Sequence, residues 1–232
     1  IHGHIDFLKQ ESTCCILIII HSSLKNNKDK TLLRSKLGLP EKINLIIFVG
    51  HFSLEKSAMD LLYAWINLQE KSLALNSGIV FIGSTDTDKF EVNNETINLM
   101  KSLSRNYLNK KLFFVEKTNN IEEYYKASDV YVMSSVREGL PNTLLEAMSC
   151  SLPVISTKLD GITDWIISDG EDGLLYEIGN INQLSSHLKK LLLDFKLREK
   201  LGCNARQTIE SRFNLSITSK EIFKVYEGLY EN

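Results

Sequence analysis

Two glutamates frame the stretch REGLPNTLLEAMSCSLPVIST at residues 137–157. Glu138 falls in a Gly-Pro turn, and Glu146 falls on the helix that should follow it. Pro141 suits a first helical turn, where its missing N–H is not needed. The next donors, on Asn142, Thr143 and Leu144, should have no acceptor inside the helix. A helix end of this kind attracts anions. Gly139, with Leu140 beside it, lets the backbone come close to a ligand. One anion site with a carboxylate on either side suits a ligand with a charged middle and hydroxyl-rich ends. A nucleotide diphosphate sugar has that shape. On these residues alone, a solvated turn followed by an ordinary surface helix is the alternative.

The elements that would position these groups alternate along the chain. NLIIFVG (44–50), GIVFIGS (78–84), KLFFVE (111–116), DVYVMSS (129–135), LPVIST (152–157) and GLLYE (173–177) read as strands. Between the first two, AMDLLYAWINLQE (58–70) puts Leu61, Leu62, Trp65 and Leu68 at helical spacing. Residues 92–106 read as a helix with Ile97, Met100 and Leu103 inward, and IEEYYKAS as a short one. The last ~50 residues read as helical. Continuous apolar strands separated by helices predict a parallel sheet covered on both faces, a Rossmann-like doubly wound α/β fold with carboxyl-terminal helices. Ligands of such sheets bind at the carboxyl ends of the strands. Gly50, Gly83, Glu116, Ser134 and Thr157 all follow apolar runs.

Composition narrows the class. A 43% hydrophobic content fits a globular domain with a full core, and a net charge of −2 without charge blocks argues against a nucleic-acid partner. The apolar run Cys14–Ile20 is far short of the ~20 residues of a spanning helix. The four cysteines, at 14, 15, 150 and 203, have no metal-ligand spacing and read as reduced thiols of a cytoplasmic protein. A peripheral position at the inner membrane face is left open. An anion-attracting helix end can hold diphosphate charge without a metal, so neither metal nor cofactor is expected. His2 and His4 form an HxH with no further ligands nearby and read as incidental. The Tyr124-Tyr125 and Phe113-Phe114 pairs read as core.

SSVREGLPNTLLEAMSCSLPVIST resembles the signature of the family 4 retaining glycosyltransferases, enzymes of the GT-B fold. LGLPEKINLIIFVGHFSLEKSAMDLL resembles the first strand-loop-helix of their carboxyl-terminal, donor-binding domain, and DGITDWIISDGEDGLLYEIGN its last loop and strand. The resemblance covers roughly residues 32–230. It implies that Glu138 contacts the donor sugar near the reacting carbon and that Glu146 holds the ribose. Lys56 matches the lysine that neutralises the diphosphate. The arginine position beside it, after Gly50, is His51, which can donate to phosphate but lacks the two-pronged guanidinium. The last loop reads Asp160-Gly161 with Asp164 where the family has Gly-Gly and Glu, and Ser151 replaces a glycine.

The expected activity is transfer of a sugar, with retention, from a UDP- or GDP-sugar to a glycan or lipid-linked acceptor in cell-surface polysaccharide synthesis. In the family's proposed route the acceptor attacks on the face the diphosphate leaves, and the departing phosphate is the base. No Ser-His-Asp or Cys-His set is needed, and none is evident. Residues 1–31 read as a linker or the end of an acceptor domain, and 32–232 as the donor-binding domain. The stretch before the donor domain is too short for a whole acceptor domain, since a βαβ unit alone takes about 30 residues. The expectation is a partial chain or the donor half of a split enzyme with a separate acceptor-domain subunit. A non-catalytic nucleotide-sugar-binding subunit and a degenerate interaction protein stay open as alternatives, as does, more weakly, a GT-B epimerase.

Overall fold

The computed structural model describes residues 27–71, 75–84, 92–213 and 223. The HxH of His2 and His4 and the run Cys14–Ile20 lie outside them. Helix α1 (Asn27–Lys36) leads into β1 (Asn44–Val49), α2 (Ala58–Lys71), β2 (Ser77–Ile82), α3 (Asn94–Leu103) and β3 (Leu112–Val115). The second half runs α4 (Ile121–Ala127), β4 (Val130–Met133), α5 (Asn142–Ser149), β5 (Val154–Thr157), α6 (Thr163–Ile166) and β6 (Leu174–Tyr176). Helices α7 (Ile181–Leu193) and α8 (Phe195–Arg212) complete the described elements.

All six strands are parallel, in the order β3-β2-β1-β4-β5-β6. Their sequences are apolar throughout because both faces are covered. Ile46, Phe48, Ile79, Phe81, Val130 and Val132 point into one core, with Leu61, Leu62 and Trp65 of α2. Leu45, Ile47, Val80, Ile82, Tyr131 and Met133 point into the other, with Leu144, Leu145 and Met148 of α5. This alternation, two apolar faces at period two, is what a doubly covered strand requires.

The predicted sheet is observed, and two local expectations change. Leu103 is 41% exposed, because Thr96, Ile97 and Met100 fill the inward stripe of α3. Polar residues 22–30 read as linker, yet α1 spans Asn27–Lys36 and crosses the boundary drawn after residue 31. Long-range bonds hold that helix. Arg34, 5% exposed, donates to the carbonyls of Ala127 (2.8 Å), Ile43 (2.8 Å) and Glu41 (3.0 Å) and to Asp129 Oδ2 (2.6 Å). Asp129 also accepts from Lys30 (2.6 Å) and from the Leu45 N–H (2.7 Å). Burial pushes the Asp129 carboxyl upward, but Lys30 and Arg34 outweigh it and hold it below its ordinary range. The amino ends of β1 and β4 are thereby pinned side by side.

Between β1 and β4 the chain reverses its direction of travel across the sheet. A crevice opens at such a switch point, outside the carboxyl ends of the two strands. The loops after β1, β2, β3 and β4 surround it.

Candidate functional site

The crevice is a cleft of about 360 Å³. Gly50, His51 and Lys56 enter it from the β1 loop, Glu138 and Leu140 from the β4 loop, and Asn142, Thr143 and Glu146 from the first turns of α5. Two predicted residues lie elsewhere. Leu144 is fully buried in the core under α5, since its helical position turns it toward β4. Gly139 is exposed, does not line the cleft, and has open space where a Cβ would stand, so no close packing demands a glycine there.

Four links tie the β1 loop to the β4 loop. Lys56 Nζ lies 2.7 Å from Glu138 Oε1, with 8% of the Glu138 side chain and 30% of the Lys56 side chain exposed. The Val136 N–H donates to the Glu55 carbonyl at 2.8 Å. Ser134 Oγ donates to the carbonyls of Ser57 (2.8 Å) and Lys56 (3.1 Å). Arg137 pairs with Glu55 on the outside at 2.6 Å. Ser57 has φ 45°, a left-handed conformation that non-glycine residues adopt at a cost. The Ser134 bonds hold that turn and so aim Lys56 across the cleft.

Glu138 is held from its own side as well. Ser135 Oγ donates to Oε1 at 2.6 Å, and the Ser135 carbonyl accepts from Thr157 Oγ1 of β5 at 2.6 Å. One carboxylate oxygen therefore takes both a lysine and a hydroxyl.

Glu146 is held differently. Tyr125 of α4, 1% exposed, donates its hydroxyl to Glu146 Oε2 at 2.9 Å. Burial pushes the Glu146 carboxyl above its usual range, and the Tyr125 bond pulls it part of the way back. Burial also keeps the Tyr125 and Tyr131 phenols well above their ordinary values, so both stay neutral. Cys150, one helical turn beyond Glu146, has its thiol pushed by burial to about 11 and is no nucleophile at neutral pH.

The start of α5 departs from expectation. Pro141 is the N-cap, with the helix beginning at Asn142. The Asn142 N–H donates to the Leu140 carbonyl (2.9 Å) and the Leu144 N–H to the Pro141 carbonyl (3.0 Å). Among the described residues, nothing accepts from the Thr143 N–H. The anion-attracting end is thus narrower than three open donors.

The structure adds residues that the motifs did not single out. Gly83 and Ser84 after β2, Lys117 and Thr118 after β3, and Ile121 of α4 also line the cleft. The alternation rule reaches Gly83, which ends an apolar run. A Cβ there would lie 2.0 Å from the Gly50 carbonyl oxygen, so the two loops touch at that point. Lys117 adds an exposed cation to the cleft lining. Asp164 lies outside the cleft and accepts from the Gly161 N–H at 2.7 Å. Ser151 has φ 60° just after α5, with the Ser151 N–H on the Met148 carbonyl and the Leu152 N–H on the Ala147 carbonyl. That is a Schellman ending, in which glycine is the usual residue. No group of three or more acidic, histidine or cysteine side chains stands together as a metal site among the described residues. No described helix is long and apolar enough to cross a membrane.

A parallel sheet in this strand order, with charged side chains gathered at its switch point, is a Rossmann-like domain of the doubly wound class. The profile of the family described as Glycosyl transferases group 1 matches residues 29–208, and the chain belongs to that family. It is 27% identical over 203 residues to the N-acetyl-alpha-D-glucosaminyl L-malate synthase of Bacillus anthracis, covering 88% of this chain and 49% of that protein. Identity is 28% over 201 residues with the UDP-Gal:alpha-D-GlcNAc-diphosphoundecaprenol alpha-1,3-galactosyltransferase of Escherichia coli, covering 84% and 48%. The chain thus spans about half the length of these curated relatives. Among solved structures, Anabaena HepE in complex with UDP and glucose superimposes with a TM-score of 0.75 at 18% identity, over 88% of this chain and 53% of that one. The fold is that of the GT-B glycosyltransferases.

Proposed function

We propose that the switch-point cleft binds the nucleotide diphosphate sugar of a retaining glycosyltransferase, with UDP- or GDP-sugars as donors. One observation carries the reading: Lys56 and Glu138 on one side and Glu146 on the other share a single cleft at the β1/β4 reversal. Glu146 receives the ribose hydroxyls, and Glu138 the sugar hydroxyls near the reacting carbon. Lys56, the Thr143 N–H and His51 face the diphosphate. HepE, which was crystallised with UDP and glucose, supports this ligand class by its fold.

As the C–O bond to the sugar breaks, negative charge develops on the leaving diphosphate. Donors fixed in advance around that charge are commonly the largest catalytic contribution. Lys56 is fixed through Glu138 and the Ser134-bonded turn, which is the arrangement such a role needs. The acceptor hydroxyl attacks from the face the diphosphate leaves, and its proton passes to the departing phosphate oxygen. Glu138 and Glu146 are binders in this scheme, not an acid-base pair.

The acceptor is a glycan or lipid-linked saccharide of cell-surface polysaccharide synthesis, a role in keeping with the E. coli relative's diphosphoundecaprenol substrate. Its binding surface is assigned to the further length that the relatives have, in the same polypeptide or in a separate subunit. Calorimetric titration with UDP, GDP, ADP and UDP-glucose, with and without EDTA, tests the reading. UDP or GDP should bind, and EDTA should change the affinity by less than about tenfold, or 1.4 kcal/mol. No binding of any nucleotide at millimolar concentration would refute it.

A further inference from the structure

Two buried phenols stand under the first turn of α5. Tyr131 of β4 shares a hydrogen bond of 2.8 Å between its hydroxyl and Thr143 Oγ1. Tyr125 of α4 reaches the Thr143 carbonyl at 3.3 Å and Glu146 Oε2 at 2.9 Å. Their rings meet nearly edge-on, with centroids 6.1 Å apart. Both are sealed from solvent, so neither hydroxyl can exchange its partner for water at no cost. The long bond to Thr143 is secondary, and the charge-assisted bond to the carboxylate is the stronger one.

We propose that Tyr125 is the positioning residue for Glu146: its phenol fixes carboxylate oxygen Oε2 from below and keeps the charged group turned into the cleft, ready for ribose hydroxyls. This rests on the preceding reading of Glu146 as the ribose acceptor. Tyr131 acts one step further back, bracing the helical turn through Thr143. A carboxylate in a partly buried place loses solvation when ionised, and a neutral donor at one oxygen restores part of it without neutralising the charge. A lysine in the same place would form an ion pair that the ribose would have to compete with. The tyrosine leaves the negative charge available.

Other groups around Glu146 leave Tyr125 as the close donor. Cys150 follows on the same helix with its thiol protonated, Tyr131 approaches from β4, and the Glu122–Lys126 ion pair of α4 lies beyond Cys150. His51, Lys56 and Lys117 line the same cleft from other loops, and Lys56 pairs with Glu138 rather than Glu146.

The test is the titration of the Glu146 carboxyl carbon by NMR in the wild-type protein, Tyr125→Phe and Tyr131→Phe, without nucleotide. Tyr125→Phe should raise the Glu146 midpoint by about one pH unit, a tenfold change in proton affinity. Tyr131→Phe removes an equally buried hydroxyl of the same cluster and should lower the melting temperature while leaving that midpoint in place. Nucleotide affinity should fall about tenfold in Tyr125→Phe at neutral pH, with its acid limb moved to higher pH. Combining Tyr125→Phe with Glu146→Gln should abolish the shift of that limb. An unmoved Glu146 midpoint in Tyr125→Phe, or equal movement in both tyrosine variants, would overturn the proposal. If Glu146 responds to Tyr125 but the wild-type protein binds no nucleotide, the ribose assignment and the nucleotide reading fall, and the hydrogen bond stands.

Discussion

Replacing Lys56 with methionine keeps most of the side-chain volume and removes its charge, leaving Glu138 with Ser135 as its remaining close donor. An exposed ion pair contributes about 0–1 kcal/mol, whereas breaking a buried one costs about 3–5 kcal/mol. This pair lies between those limits. The Glu138 side chain is 8% exposed, but Lys56 is 30% exposed, and Ser135 still donates to the carboxylate after the change. A loss of about 2 kcal/mol follows, and for a chain of this size it corresponds to a fall in melting temperature of about 4–8 °C. Adding Glu138→Gln should recover most of it, because an amide needs no counter-charge and still accepts from Ser135. Thermal and urea unfolding of the four proteins in the cycle give the coupling energy. Diphosphate binding should respond to the same change: Lys56→Met should weaken UDP or GDP by tenfold or more and the corresponding nucleoside much less. A coupling below about 0.5 kcal/mol would be ordinary additivity and would refute the ion pair as the element that fixes Lys56.

Three further substitutions test other parts of the site. Glu146 has its carboxyl raised by burial, so its contribution to stability is full below the unfolded carboxyl range and is lost as pH rises through the folded value. Glu146→Gln should therefore melt higher than wild type at neutral pH, converge with it in acid, and bind nucleotide less well, as differential scanning fluorimetry across pH and calorimetry would show. Gly83→Ala would place a Cβ 2.0 Å from the Gly50 carbonyl oxygen, so a loss of about 2–3 kcal/mol in urea unfolding is expected. Ser151→Gly relieves a left-handed serine at the end of α5 and should stabilise by up to about 1 kcal/mol, with nucleotide affinity unchanged.

The strands were legible in the sequence because each is apolar at consecutive positions, the mark of a sheet covered on both sides. Lys56, Glu138, Glu146 and His51 were legible as site candidates because they fall in one motif context, and one cleft gathers all four. Ser151 stood out as a replaced glycine, and its φ of 60° gives the physical meaning of that departure. What was not legible depends on partners distant along the chain. Helix α1 reads as polar linker, because its anchors, Arg34 with Asp129, are 95 positions apart. Tyr125 reads as a core aromatic, and nothing local shows that its hydroxyl meets a carboxylate 21 positions on. Ser134 reads as a strand end, although it secures a turn 77 positions earlier. Leu144 reads as a site residue through its N–H, but that donor is taken by the Pro141 carbonyl and the helix turns its side chain into the core.

The central claim is that a nucleotide diphosphate occupies the β1/β4 switch point, and amide chemical-shift mapping with UDP and GDP tests it most directly. Saturable shifts should appear at Gly50, His51, Gly83, Thr143 and Glu146 and fade in Lys56→Met. The absence of shifts at millimolar nucleotide, or shifts gathered instead around Arg34 and Asp129 at the opposite pole of the sheet, would contradict it.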